Sequence, residues 1–224
     1  MKHEIIAGMV LAGLYLLLVS KIVTRKIAES KRKIQFQKAH KIIGILFLIL
    51  SVLHFILVIP LLDQRPFSMT MTGVVMVLAA CMEVGSYFLR RKLVKKWLWI
   101  HRWCSVILLI CLLAHVGIGM ISLNQYKNNI ETIELKDIPL NNIEDGSYIG
   151  EYDAGYIYAR VRVTVSNHHL QKIQILEHKT ERGKSAEIIT KQLIENQSTK
   201  VDAISGATNS SKVIGKAVCN ALES

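Results

Sequence analysis

The sequence predicts a membrane-embedded all-α four-helix bundle followed by a small α+β domain. Three observations predict it. Of 224 residues, 51% are hydrophobic, a high share for a water-soluble domain. Four apolar runs, each close to the ~20 residues needed to cross a bilayer core, fill the first part of the chain. The net charge of +11 is not spread evenly. Residues 141–224 carry 10 Lys/Arg against 10 Asp/Glu, whereas residues 1–140 carry 18 against 7, with 14 of those 18 in Lys21–Lys41 and Arg90–Arg102. Both basic segments lie between apolar runs. That is the signature of cytoplasmic loops, and it argues against a nucleic-acid surface.

The expected spans are Ile5–Val23, Ile42–Leu62, Met71–Leu89 and Trp103–Leu123, forming a membrane module over residues 1–123. The first run has only Lys2 before it, offset by Glu4, and its positive cluster follows it. A cleavable leader has the opposite order, so a retained helix with its N-terminus outside is expected. Lys21–Lys41 and Arg90–Arg102 then face the cytoplasm, Leu62–Thr70 is a short outer loop, and everything after about Asn124 lies outside. The expected location is a multi-pass protein of a prokaryotic cytoplasmic membrane. The second and fourth helices run in the same direction.

Histidines supply the chemistry of this module. His40 and His54 lie on the second helix and His101 and His115 on the fourth, each pair 14 residues apart. That is just short of four helical turns, a rise of ~21 Å with both side chains near one face. Because the helices are parallel, His40 is expected to meet His101 near the inner surface and His54 to meet His115 nearer the outer one. Facing imidazoles across a bundle can axially ligate one haem iron, so two b-type haems are expected. A zinc site is a poor rival, because the pairs are too far apart to converge. The pattern resembles the ferric-reductase-like and related membrane cytochrome b families, over about residues 36–122. No GxGxxG fingerprint is present, so quinol or a redox partner protein is the expected donor.

Other features of the module stay open or read as structural. Glu83 is a proton acceptor, the partner of a base, or a residue near the end of a shifted helix. Met69, Met71 and Met76 read as packing. Trp97, Trp99 and Trp103 read as interfacial anchors. Lys41, Arg91 and Arg102 read as topology signals, with haem carboxylates as their other reading. Cys81, Cys104, Cys111 and Cys219 form neither a CxxCH motif nor a disulfide framework and read as small packing residues.

Residues 124–142 are polar and read as a linker, and 143–224 as a compact domain. Asp145-Gly146 marks a turn. Strands are expected at Ser147–Tyr152, Tyr156–Val165 (where Ala159, Val161, Val163 and Val165 alternate) and Leu170–Glu177, with a turn at Ser166–His169. Helical spacing follows over Ser185–Asn196, a short strand over Thr199–Ala203, and a last helix over Ser210–Leu222 that starts at Asn209 or Ser210. His168, His169 and His178 read as surface residues.

The sharpest short motif, Asp202-Ala203-Ile204-Ser205-Gly206-Ala207-Thr208, stands just before that helix. Gly206 and Ala207 permit close backbone approach, and a helix N-terminus favours a phosphate. An ordinary strand-turn-helix cap explains the same residues. The segment resembles the flavinylation motif of FMN-binding domains in the sodium-pumping NADH:quinone reductase and Rnf complexes, and the DGSYIGEY and LEHKTERG stretches resemble that family too. The resemblance implies FMN held covalently on the Thr208 hydroxyl through a phosphoester, attached by a separate flavin transferase, with Asp202, Ser205, Gly206 and Ala207 shaping the site. Ser210 and Ser211 occupy the place of a further hydroxyl residue. The expected function is transmembrane electron transfer from quinol or a partner reductase, through two haems, to extracytoplasmic FMN and an external acceptor. The reverse direction fits equally. The protein is then an oxidoreductase or an electron-transfer component. The alternatives are a redox-sensing membrane regulator and a non-autonomous subunit of a larger redox complex.

Overall fold

The computed structural model describes residues 2–21 and 30–223. Residues 22–29 of the expected basic loop, and the end of the first apolar run at Val23, lie outside the described residues. The chain divides into two compact units, Met1–Gly119 and Met120–Ser224.

The first unit is helical. Helix α1 covers Lys2–Val19, α2 Ser30–Val58, α3 Phe67–Phe88 and α4 Lys96–Glu131, the last running on into the second unit. Proline sets the break between α2 and α3. Pro60 lies in the first positions of a 3-10 turn, Ile59–Gln64. Pro66 is the N-cap of α3 and holds Arg65 extended before it. Three stretches are long and apolar enough to cross a membrane: Gln37–Gln64, Phe67–Phe88 and Lys96–Glu131. Among the described residues the first apolar helix is shorter, Glu4–Val19.

Helices α1 to α4 each contribute to one buried cluster: Tyr15 from α1, Phe47 from α2, Ala79 and Ala80 from α3, and Cys104 and Leu108 from α4. Small residues on α3 let the helices approach, and the Tyr15 hydroxyl donates to the Ser105 carbonyl at 2.5 Å, tying α1 to α4. Outside this cluster the surface is apolar. Leu16, Ile42, Phe67, Leu78, Trp99 and Leu113 are all exposed. Water would penalise such a surface, whereas lipid would not.

The second unit is an antiparallel sheet in the order β1-β2-β3, built from β1 (Gly146–Asp153), β2 (Tyr158–Ser166) and β3 (His169–Lys179). Gly146 pairs with Val165 and Asp153 with Tyr158. The β2–β3 ladder shifts register at Arg160/Val161 and Thr164/Val165. The alternating Ala159, Val161, Val163 and Val165 are all buried, as is Leu170. Helix α6 (Thr208–Leu222), which buries Val213, Ala217 and Val218, lies on β1 and β2. A 3-10 turn, Lys184–Ile188, leads into α5 (Ile189–Asn196), which buries Ile189 and Leu193. Asn167 and His168 take positive φ angles, 52° and 59°, the left-handed pair that a two-residue hairpin turn needs.

Two expectations are corrected. The stretch read as a linker is helical to Glu131, and Tyr126, Ile130 and Ile133 are buried in the second unit. Polar residues between these apolar positions hid the helix from a hydropathy reading. Thr199–Ala203 is not a strand. It is held by one side chain: the buried Thr199 hydroxyl donates to the Lys136 carbonyl at 2.6 Å and accepts the Ile138 N–H at 2.8 Å.

Candidate functional site

The first unit brings His40 and His101 together. Their ring centroids are 6.1 Å apart, with the planes 73° to each other. Two imidazoles on opposite sides of one metal ion, each bonded at about 2 Å, have centroids roughly 6 Å apart. Both rings line a cavity of about 720 Å³, a size suited to a cofactor. Lys21, Lys41 and Arg90 line it too, as do Glu83 and Ser105. Arg91 and Arg102, read as topology signals, are not among its lining residues. The Arg90 guanidinium carbon is 4.4 Å and the Lys41 Nζ 5.1 Å from the Tyr87 ring centroid. Trp97, expected as an interfacial anchor, packs on His101 with 6.3 Å between centroids.

Buried polar atoms without a partner lie at this cavity and at the second histidine pair. Among the described residues, His101 Nδ1, His54 Nδ1 and one carboxylate oxygen of Glu83 have none. Such groups are rare unless a bound group satisfies them. Glu83 is placed by this: it lines the cavity beside His101 and Ser105.

His54 and His115 lie within electrostatic reach of each other. His115 Nδ1 is 3.1 Å from the Met69 carbonyl and 3.0 Å from the Thr72 hydroxyl. A carbonyl accepts the Nδ1 proton, which leaves Nε2 as the lone-pair nitrogen. Metal-ligating histidines use the same arrangement. Gly73 lies against this ring, where an added Cβ would stand 3.6 Å from Cε1. Thr72 and the Met69 carbonyl were not found from sequence, because the register of α3 against α4 leaves no local signal. Among the described residues no group of three or more His, Cys, Asp or Glu side chains converges on a metal site.

The second candidate site is the junction between the Asp202–Ala207 loop and α6. The Ala207 N–H bonds the Ile204 carbonyl at 3.0 Å, closing a turn with Ser205 and Gly206 at its centre. Gly206 has φ +78°, which its missing Cβ makes cheap. α6 begins at Thr208, one or two residues earlier than expected, and has no side-chain cap. Its first N–H groups are therefore open to an anionic ligand, and its dipole favours one.

Four polar residues, Thr208-Asn209-Ser210-Ser211, open this helix, and three are committed. Ser211 accepts the Ile204 N–H at 3.0 Å and donates to the Ala207 carbonyl at 3.1 Å. Ser210 bonds Thr180 at 3.1 Å, with Gly183 packed so closely that no side chain fits there. The Asn209 amide donates to the Tyr126 hydroxyl at 2.9 Å. Thr208 is exposed, and its hydroxyl has no partner among the described residues. Asp202, Ser205 and Gly206 are exposed beside it, whereas Ala207 is buried. Ser210 and Ser211, both buried, are structural.

His178 corrects its surface reading. Its side chain is 2% exposed, and Nδ1 lies 3.0 Å from a Glu187 oxygen. The bulge at Arg160/Val161 shifts the pairing at this end of β3, an effect alternation does not reveal.

Residues 155–223 match the model of a family described as FMN-binding domain. No curated protein and no solved structure matches the chain. The second unit thus contains an FMN-binding domain, which points to flavin-based electron transfer. The first unit carries helices able to span a membrane.

Proposed function

We propose that this protein carries electrons across a membrane between a quinol or partner redox protein and an extracytoplasmic flavin, with FMN bound covalently at Thr208 and two b-type haems held by His40/His101 and His54/His115. Haem supplies one-electron transfer when bound, and FMN links one-electron to two-electron chemistry. The observation that carries this reading is the family match over residues 155–223, which end on the helix whose first residue is an exposed, uncommitted threonine.

The residues have distinct tasks. Thr208 offers the hydroxyl to which a flavin transferase would move the flavin phosphoryl group from a flavin-nucleotide donor, the donor's leaving group departing from phosphorus as the hydroxyl loses its proton. The α6 N-terminus faces the phosphoryl charge, and Gly206 keeps the approach clear of a Cβ. In the first unit, His40 and His101 would hold the haem, with Lys41 and Arg90 in the same cavity. Met69 and Thr72 orient His115. The basic segments would face the cytoplasm and the FMN domain the other side.

Thr208→Ala, produced together with a flavin transferase, tests the assignment. Flavin fluorescence on a denaturing gel should disappear while the reduced-minus-oxidised haem spectrum is retained. A fluorescent Thr208→Ala band would move attachment to another residue. Flavin without any haem signal in the parent protein would remove the histidine-pair reading and leave a membrane-anchored flavoprotein.

A further inference from the structure

Asn209 follows Thr208, and its partner comes from far away in the chain. The Tyr126 hydroxyl, 2.9 Å from Asn209 Nδ2, belongs to the final turns of α4. Tyr126 is 6% exposed and held before it meets Asn209. Its ring lies 5.3 Å from that of Tyr156 at 57°, and its Cβ borders Gly155. One helical turn on, the Asn129 amide donates to the Ala154 carbonyl at 3.3 Å, and the Tyr152 hydroxyl donates to the Asn129 carbonyl at 3.2 Å. The end of α4 is thereby fixed against the β1–β2 connection.

A single hydrogen bond does not satisfy this pair. When the amide donates, the phenol accepts, and its own O–H has no acceptor among the described residues. With the amide turned over, the phenol donates to the amide oxygen, and both amide N–H groups are left over. Either way at least one donor stays uncommitted beside the first turn of α6. In this part-buried contact that donor is available to an acceptor. The anionic oxygens of a phosphoryl group on Thr208, the residue next to Asn209, are acceptors of the required kind.

We propose that Tyr126 and Asn209 form a positioning pair for the flavin nucleotide, their uncommitted donor taking a phosphoryl oxygen of the nucleotide at Thr208. This rests on Thr208 being the attachment residue. The pair makes the last turns of α4 part of the flavin site, although they lie outside the matched residues 155–223.

Tyr126→Phe keeps the ring on Tyr156 and removes the hydroxyl. Asn209→Ala removes the other partner. The full-length protein in detergent is incubated with flavin transferase and its flavin donor, and three quantities are read: the rate of flavin attachment, the fluorescence anisotropy of the bound flavin, and the thermal midpoint. Each variant should attach flavin about 10-fold more slowly, the value of one hydrogen bond to a charged acceptor. Each should also hold the flavin with lower anisotropy, Tyr126→Phe at an unchanged thermal midpoint. The double variant should be no worse than the worse single one, because both remove one interaction. Attachment at the parent rate with parent anisotropy in both variants would overturn the pair. Slower attachment that tracks a lowered midpoint in both would reduce it to a packing contact and also overturn it. Thr208→Ala separates the two levels: if it still takes flavin, the attachment residue is wrong; if it is empty while Tyr126→Phe is normal, only the pair is wrong.

Discussion

At the scale of single residues, Asp145 shows how one side chain sets a turn. Its two carboxylate oxygens accept the N–H groups of Asn167 and His168 at 2.8 and 3.2 Å. These are the two residues with left-handed backbone in the β2–β3 hairpin. The two N–H donors hold the Asp145 carboxyl below its ordinary range. A depressed carboxylate stabilises the fold fully above its unfolded value, near 4, and loses that contribution as pH falls through its lower folded value. Asp145→Asn should therefore melt below the parent at about pH 6, and the gap should close toward about pH 2. Thermal midpoints across that range check it, and a gap that stays constant would mean the carboxylate charge is not involved. Cys219 behaves differently: burial pushes its thiol up, and its Sγ lies 3.6 Å from the Lys136 carbonyl, consistent with the packing role expected of it. Asp145-Gly146 was legible as a turn signal, but the carboxylate serves a hairpin more than twenty residues away, and nothing local announces that.

At the scale of elements, the contact between α6 and β1 fixes the second unit. A Cβ on Gly150 would stand 2.3 Å from the Ala217 carbonyl oxygen and 2.3 Å from the Ala221 nitrogen, both backbone atoms of α6. The helix rests directly on the strand, and Gly150→Ala must lift it. The expected cost is about 1–3 kcal/mol, as for other overpacked cores, read as a lower thermal midpoint of the FMN-binding unit. A variant melting with the parent would mean that the helix has room to move. The three strands were readable because Ala159, Val161, Val163 and Val165 alternate without interruption. Helix ends were not. Hydropathy reports the apolar part of a helix, so α2 was expected from Ile42 although it begins at Ser30, and α4 was expected to stop at Leu123 although it continues to Glu131. The misread Thr199–Ala203 segment is anchored at its start by one buried hydroxyl bridging Lys136 and Ile138, a tertiary arrangement with no periodicity to detect.

At the scale of the whole molecule, two units solve opposite solvent problems: one exposes its apolar side chains, the other buries them under a helix. The histidine positions were legible because equal spacing survives in sequence; their supporting groups were not, because Met69, Thr72 and Trp97 depend on helix register. That spacing has a consequence for the haem reading. With a spacing of 14 residues between the histidines on each helix, the two pairs are four turns, ~21 Å, apart along α2 and α4. Only the His40/His101 pair lines the cavity that holds Lys41 and Arg90. In the other pair, His115 is braced separately by α3. Changes at one pair should then leave the other intact. His40→Ala or His101→Ala should lower haem from about two to about one per chain, and so should His54→Ala or His115→Ala, each leaving a different residual spectrum and midpoint potential. Thr72→Val, which removes only a hydroxyl beside His115, should keep the haem and move the potential of that one centre. Haem content per chain and a redox titration of each variant decide this. Equal loss of both haems from every histidine variant would mean that the module folds around its haems as one unit, and the independence argued from helix spacing would fail.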